Sequence, residues 1–266
     1  MIRKVLVIMT LCTTLVLPAS AAWDVSAYHD YSEVRGAVDA IAKGHPGLVS
    51  VETIGQSAGR RAIVLVRIAA KGAVEPDLRP AVFVGANIDG YVNSGTEAAL
   101  DLIETLAGGD HADLLSRTTF YVAPALNPDA HDGLFASPRV RRHGNAQSID
   151  YDRDGLTAED DYDDLDRDGR ITALRIADAN GAWQPHPEDS RVMVRRDAAK
   201  GWSGGWLLED EGSDNDGDGA YNEDPKEGTV VNMNFAHVFP YPDPKAGPWA
   251  SYAPESKAIM DWLLDH

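Results

Sequence analysis

Residues 81–107 constrain the fold more than any other stretch of the chain. The run from Ala81 to Asn87 is apolar enough for a strand buried on both faces, and it ends at the turn dipeptide Asp89–Gly90. Apolar residues at helical spacing follow from Ser94 to Ala107, with Ser94 as the expected N-cap and Glu97 as its capping-box partner. A strand that turns straight into an amphipathic helix is a building block of α/β sheets.

The flanking segments extend this alternation. A helix is expected over 31–43, where Val34, Ala37, Val38 and Ile41 share a face, and His45–Pro46–Gly47 stops it. Strands are expected over 48–54 and 62–70, on either side of a hairpin-like connection at 55–61, and again over 118–124. A last helix is expected over 254–264, with Glu255 in its first turn. The expected fold is therefore α/β, a mixed and mostly parallel sheet flanked by helices. Its 266 residues, 44% of them hydrophobic, suffice for one large domain, placed at residues 23–266.

The first 22 residues are expected to lie outside that domain. Arg3 and Lys4 precede an apolar run over 5–17, and Ala19–Ser20–Ala21 has the small-x-small pattern of a signal-peptidase site. The run is short for a membrane span. Cleavage would leave a secreted or periplasmic protein with no membrane attachment. It would also remove Cys12, the only cysteine, so no disulfide is expected in the mature chain. A net charge of −18 excludes nucleic acid and anionic membrane surfaces as partners.

Much of that charge sits in an apparent insert over 148–228. Asp-x-Asp-x-Asp-Gly occurs three times there: at Asp150, Asp152 and Asp154, at Asp164, Asp166 and Asp168, and at Asp214, Asp216 and Asp218. Alternate carboxylates before a turn-permitting glycine can wrap oxygen ligands around calcium. Only the first copy has an acid at the twelfth position, Asp161, so compact calcium loops are expected instead of EF-hands. Residues 150–169 hold ten acids and two arginines, a self-repulsion that a cation would relieve. The expected role of calcium is structural.

Five further motifs in order resemble the zinc carboxypeptidases of the carboxypeptidase A/T type, from about residue 28 to the end. They are Ile54–Gly–Gln–Ser–Ala–Gly–Arg60, the strand–turn–helix from Gly85 to Leu100, and Asn127–Pro128–Asp129. Asn232–Met233–Asn234–Phe235 and Gly247–Pro248 with Pro254–Glu255 complete the series. The resemblance implies zinc, hydrolysis at peptide C-termini, and peptide or protein C-termini as partners. It also implies that the chain stops short of the family's last strands, leaving the fold incomplete at the C-terminus and an open sheet edge through which copies could associate.

At three positions the residues depart from that pattern. Asp89 stands where the resemblance places a histidine zinc ligand, Val92 where it places a glutamate ligand, and Met233 where an arginine would grip the substrate carboxylate. Asn232 remains available to hydrogen-bond a peptide carboxylate. Arg141 or Arg142 aligns with the arginine that supports the oxyanion, with Arg139 a third candidate. No His-x-x-x-His or His-x-x-Glu pair and no Gly-x-Ser-x-Gly elbow offers another centre. The expectation is an exported metallocarboxypeptidase-like protein with impaired catalysis. The alternatives are an active zinc carboxypeptidase with a nonstandard or externally completed site, and a calcium-dependent peptide-binding or scaffold module.

Overall fold

The computed structural model describes residues 23–24, 26–217 and 219–266; the expected signal peptide, 1–22, lies outside them. Helix α1 (Tyr31–Gly44) starts at a complete capping box, in which the Asp30 side chain accepts from the Glu33 backbone and Glu33 reaches back to Asp30. Strands β1 (Val49–Gln56) and β2 (Ala62–Ile68) form a hairpin with a register shift between Thr53 and Gly55. Then follow β3 (Ala81–Gly85), α2 (Asn93–Gly108), α3 (Ala112–Leu115), β4 (Thr119–Ala123) and α4 (Pro128–His131). The acidic segment contributes β5 (Ala173–Ala177), β6 (Trp183–Pro185), β7 (Met193–Arg195) and β8 (Trp206–Asp210), and α5 (Pro254–Asp265) comes last.

The main sheet has the order β1-β2-β4-β3. The mixed α/β class is as expected, but the sheet is only partly parallel: β3 runs parallel to β4, whereas β1/β2 and β2/β4 are antiparallel. Strand periodicity decides what each face buries. On β2 and β4, Val66, Ile68 and Val122 point to one side, where Val34, Val38 and Ile41 of α1 meet Leu100, Ile103 and Leu106 of α2. Ile63, Leu65, Tyr121 and Ala123 point to the other, against Ala258, Ile259 and Trp262 of α5. The sheet is thus covered on both faces by three helices.

Two expectations change here. Strand β3 was expected to be buried on both faces; it is an edge strand instead, with Val82 40% exposed. Its apolar residues still pack on both sides, Phe83 against the α5 cluster and Val84 against the α1/α2 cluster, and its exposure comes from the missing neighbour strand at the edge. The expected Ser94–Glu97 capping box is also absent, because α2 begins earlier, after Val92, which gives no side-chain cap. Glu97 accepts from the His29 backbone N–H and pairs with His29 Nδ1 at 3.0 Å, so a contact 68 residues away takes the carboxylate.

The acidic segment holds a second, four-stranded antiparallel sheet of order β5-β8-β6-β7 between its loops. Leu174 and Ile176 alternate inward on β5, and the Arg195 guanidinium lies 5.0 Å from the centre of the Trp183 ring. Among the described residues no helix is long and apolar enough to cross a membrane.

Candidate functional site

The strand–turn–helix carries the centre of the site. Beyond β3 the backbone turns at Asn87 and at Gly90, both at positive φ; a Cβ on Gly90 would collide with the Ala130 side chain, so glycine is required there. Asp89 is half-buried on this turn, and Val92 is 39% exposed at the start of α2. The Tyr91 ring packs on the His143 ring at 4.3 Å, with the Arg141 guanidinium 5.1 Å from the Tyr91 centroid. Desolvation first, then Lys245 and Arg141, hold the His143 imidazole below its usual pKa, against an opposite pull from Asp89. Asp89 therefore lies near enough to His143 to act on it electrostatically.

A catalytic zinc needs three protein ligands and a water. On this turn the first position is a lone carboxylate and the second an aliphatic side chain with no donor atom. Among the described residues, the groups of three or more histidine, cysteine or acidic side chains that converge all lie in the acidic segment or its return. The residues present here do not fit zinc.

The two arginine candidates separate. Arg141 is exposed over Tyr91. Arg142 turns away to the acidic segment, donating to the Lys226 carbonyl and lying 3.9 Å from Asp161. Arg139 is exposed and lines a cavity of about 570 Å³ with Tyr28, Tyr91, Val92 and Phe135. Asn232 is exposed on a single 3-10 turn, Val231–Met233, beside half-buried Met233.

The remaining motifs form a buried scaffold beneath this surface. Asp129 Oδ1 accepts from Ser57 Oγ (2.7 Å) and Arg61 Nη1 (2.9 Å), and its Oδ2 from the Gly59 (2.7 Å) and Ala146 (3.2 Å) N–H groups. A Cβ on Gly59 would stand 2.5 Å from that carboxylate, which explains the glycine. Glu255 is fully buried, accepting from the Ala58 N–H and from Asn145 Nδ2. Asn234, also fully buried, donates to the Ala246 and Trp249 carbonyls and accepts from the Ala253 N–H and Ser256 Oγ. The motifs that order the chain thus grip one another.

In the acidic segment, the structure places the expected cation-loop residues as follows. Asp150 accepts from Arg153 and Gly155, Asp152 from Asp154, and Asp154 from Leu156, each through a backbone N–H. Asp164 accepts from Asp168 and Gly169, Asp166 from Asp168, and Asp168 from Arg170. Asp214 accepts from Gly217 and Gly219; Asp216 follows it, and Asp218 lies outside the described residues. Asp150, Asp152 and Asp154 converge, and so do Asp164 and Asp166 with Glu211. Asp161, expected to close the first loop, faces elsewhere: it accepts from the Lys226 N–H and pairs with Lys226 Nζ at 3.4 Å.

Sequence reasoning missed the buried acids that seat these loops. Asp224 accepts from the Tyr151 and Asp152 N–H groups, Glu211 from Leu165 and Asp166, and Asp160 from Asn215 and Asn222. All three are under 5% exposed. A signal for two of them was present. Residues 150–160 and 214–224 share the frame Asp-x-Asp-x-Asp-Gly-x-x-x-Glu-Asp, and each final aspartate reaches into the other copy.

Comparison with known proteins agrees with this architecture. The zinc carboxypeptidase family model matches residues 34–180. Carboxypeptidase B of Astacus astacus is 28% identical over 165 residues, 61% of this chain and 46% of that protein. Carboxypeptidase D of Rattus norvegicus is 27% identical over 145 residues, 52% of this chain and 10% of that protein. The crystal structure of carboxypeptidase A from Helicoverpa armigera shares the fold with a TM-score of 0.60 at 17% identity, covering 93% of this chain and 45% of its own. The chain belongs to the zinc carboxypeptidase family, and it spans less than half the length of these relatives.

Proposed function

We propose that this is an exported, carboxypeptidase-like protein that binds peptide or protein C-termini without hydrolysing them. The observation that carries this reading is the donor set on the strand–turn–helix, where Asp89 and Val92 occupy the ligand positions among Tyr91, Arg141 and His143. The withdrawal of Arg142 to Lys226 supports the lack of hydrolysis, since it takes positive charge away from an oxyanion, while Met233 leaves a bound carboxylate to other donors. Arg141 and Asn232 remain exposed to receive a peptide. The acidic segment binds calcium in this reading and keeps the arginines and the return chain in place. Export rests on the N-terminal charge and apolar pattern.

Zinc content and turnover together test the proposal. After dialysis against mixed calcium and trace zinc, mass spectrometry is expected to find far less than one zinc per chain. N-acylated dipeptides with basic, aromatic or small C-terminal residues should remain intact. Near-equimolar zinc with chelator-sensitive hydrolysis would establish an active enzyme with a nonstandard site instead.

A further inference from the structure

The first acidic loop meets two acids that its motif does not contain. One oxygen from each of Asp152, Glu159 and Asp224 lies within 4.8 Å of the others. Calcium binds oxygen at 2.3–2.6 Å, so two oxygens on one ion stand at most about 5 Å apart, and this trio meets that limit. Carboxylates that merely decorate a solvated loop point outward; Asp224 does not. It is 0% exposed, its Oδ1 accepts from Tyr151 and Asp152, and its Oδ2 has no hydrogen-bond partner within the protein. Glu159 Oε2 is likewise buried and unpartnered. Leaving such oxygens unsatisfied costs free energy that a bound cation would return.

Resting on the calcium reading above, we infer that Asp152, Glu159 and Asp224 form one discontinuous calcium site, joining two segments 65 to 72 residues apart in sequence. The local Asp150–Asp154 loop supplies further oxygens, and Asp161 is not a ligand. The consequence reaches the candidate site. Two residues beyond Asp224, the Lys226 carbonyl accepts from Arg142, and Glu227 Oε2 accepts from the His143 N–H at 3.1 Å. Calcium at Asp224 would hold that return segment, and so the setting of Arg142 and His143.

Calcium titration of the full chain against a chromophoric chelator, comparing wild type with Asp224→Asn and Glu159→Gln, tests the site. The expected result is that each variant loses one calcium equivalent, or weakens the same binding step at least tenfold. Asp164→Asn in the second loop should leave that step unchanged. If both variants keep every wild-type step, the composite site is wrong and the loops bind calcium singly. If wild type itself binds no calcium up to millimolar concentration, the broader calcium reading fails. Should Asp224→Asn not fold, Glu159→Gln decides alone, because its Oε2 has no partner to lose.

Discussion

At the scale of single residues, the buried acids of the scaffold carry more of the fold than the exposed site does. Glu255 shows this through its proton. Burial first, with Asp129 adding to it, raises its pKa in the folded state above the ordinary carboxyl value of about 4.3. The folded chain then holds this proton at a pH where the unfolded chain has released it. This group's contribution to stability therefore grows as pH falls from 7 towards the unfolded value and shrinks as pH rises. Melting curves in calcium chelator between pH 7 and pH 5 should show it. Groups with lowered pKa values, Asp77 and Glu211 among them, pull the other way, so the contrast with Glu255→Gln is the readout: the variant should lack this component of the pH response. Identical pH profiles would remove Glu255 from that role.

At the scale of elements, what the sequence revealed and what it hid have different physical causes. Helices α1, α2 and α5 were legible because each buries one periodic face, and strands β1, β2 and β4 because short apolar, β-branched runs between turn signals mark a strand; both signals are local. The edge position of β3 was not, since an apolar run reads alike in a central strand and in an edge strand. The start of α2 was misplaced for a related reason: Glu97 has a capping partner available nearby, yet pairs with His29. At the candidate site, Asp89, Val92 and Met233 could be read directly as departures from a family pattern. The partners of Arg142 and Glu211 could not, because hydrogen bonds across 39 to 84 residues leave no mark in spacing, whereas those of Asp160 and Asp224 left only the repeated frame. Helix α5 offers the clearest element-scale prediction. Trp262 packs edge-on against Tyr121 at 4.8 Å and donates to Glu52 at 2.8 Å, so Trp262→Ala should cost about 3–5 kcal/mol in urea unfolding. A loss below about 1 kcal/mol would mean that α5 is only loosely attached.

At the scale of the whole molecule, β3 presents a backbone edge that no strand among the described residues pairs, beside exposed Val82. Such an edge is a template for another strand. The protein should therefore associate as concentration rises, and Val82→Lys should shift it towards monomer in sedimentation velocity. Concentration-independent sedimentation of the wild type as a monomer would rule this out. The placement of α5 has another consequence, one that concerns time. Its bonds to Ala58 and Glu52 close loops of 197 and 210 residues. At roughly 5–20 residues per second, a ribosome adds that length in about 10–40 s. Through that interval the early hairpin keeps one apolar face bare, the kind of surface that chaperones cover.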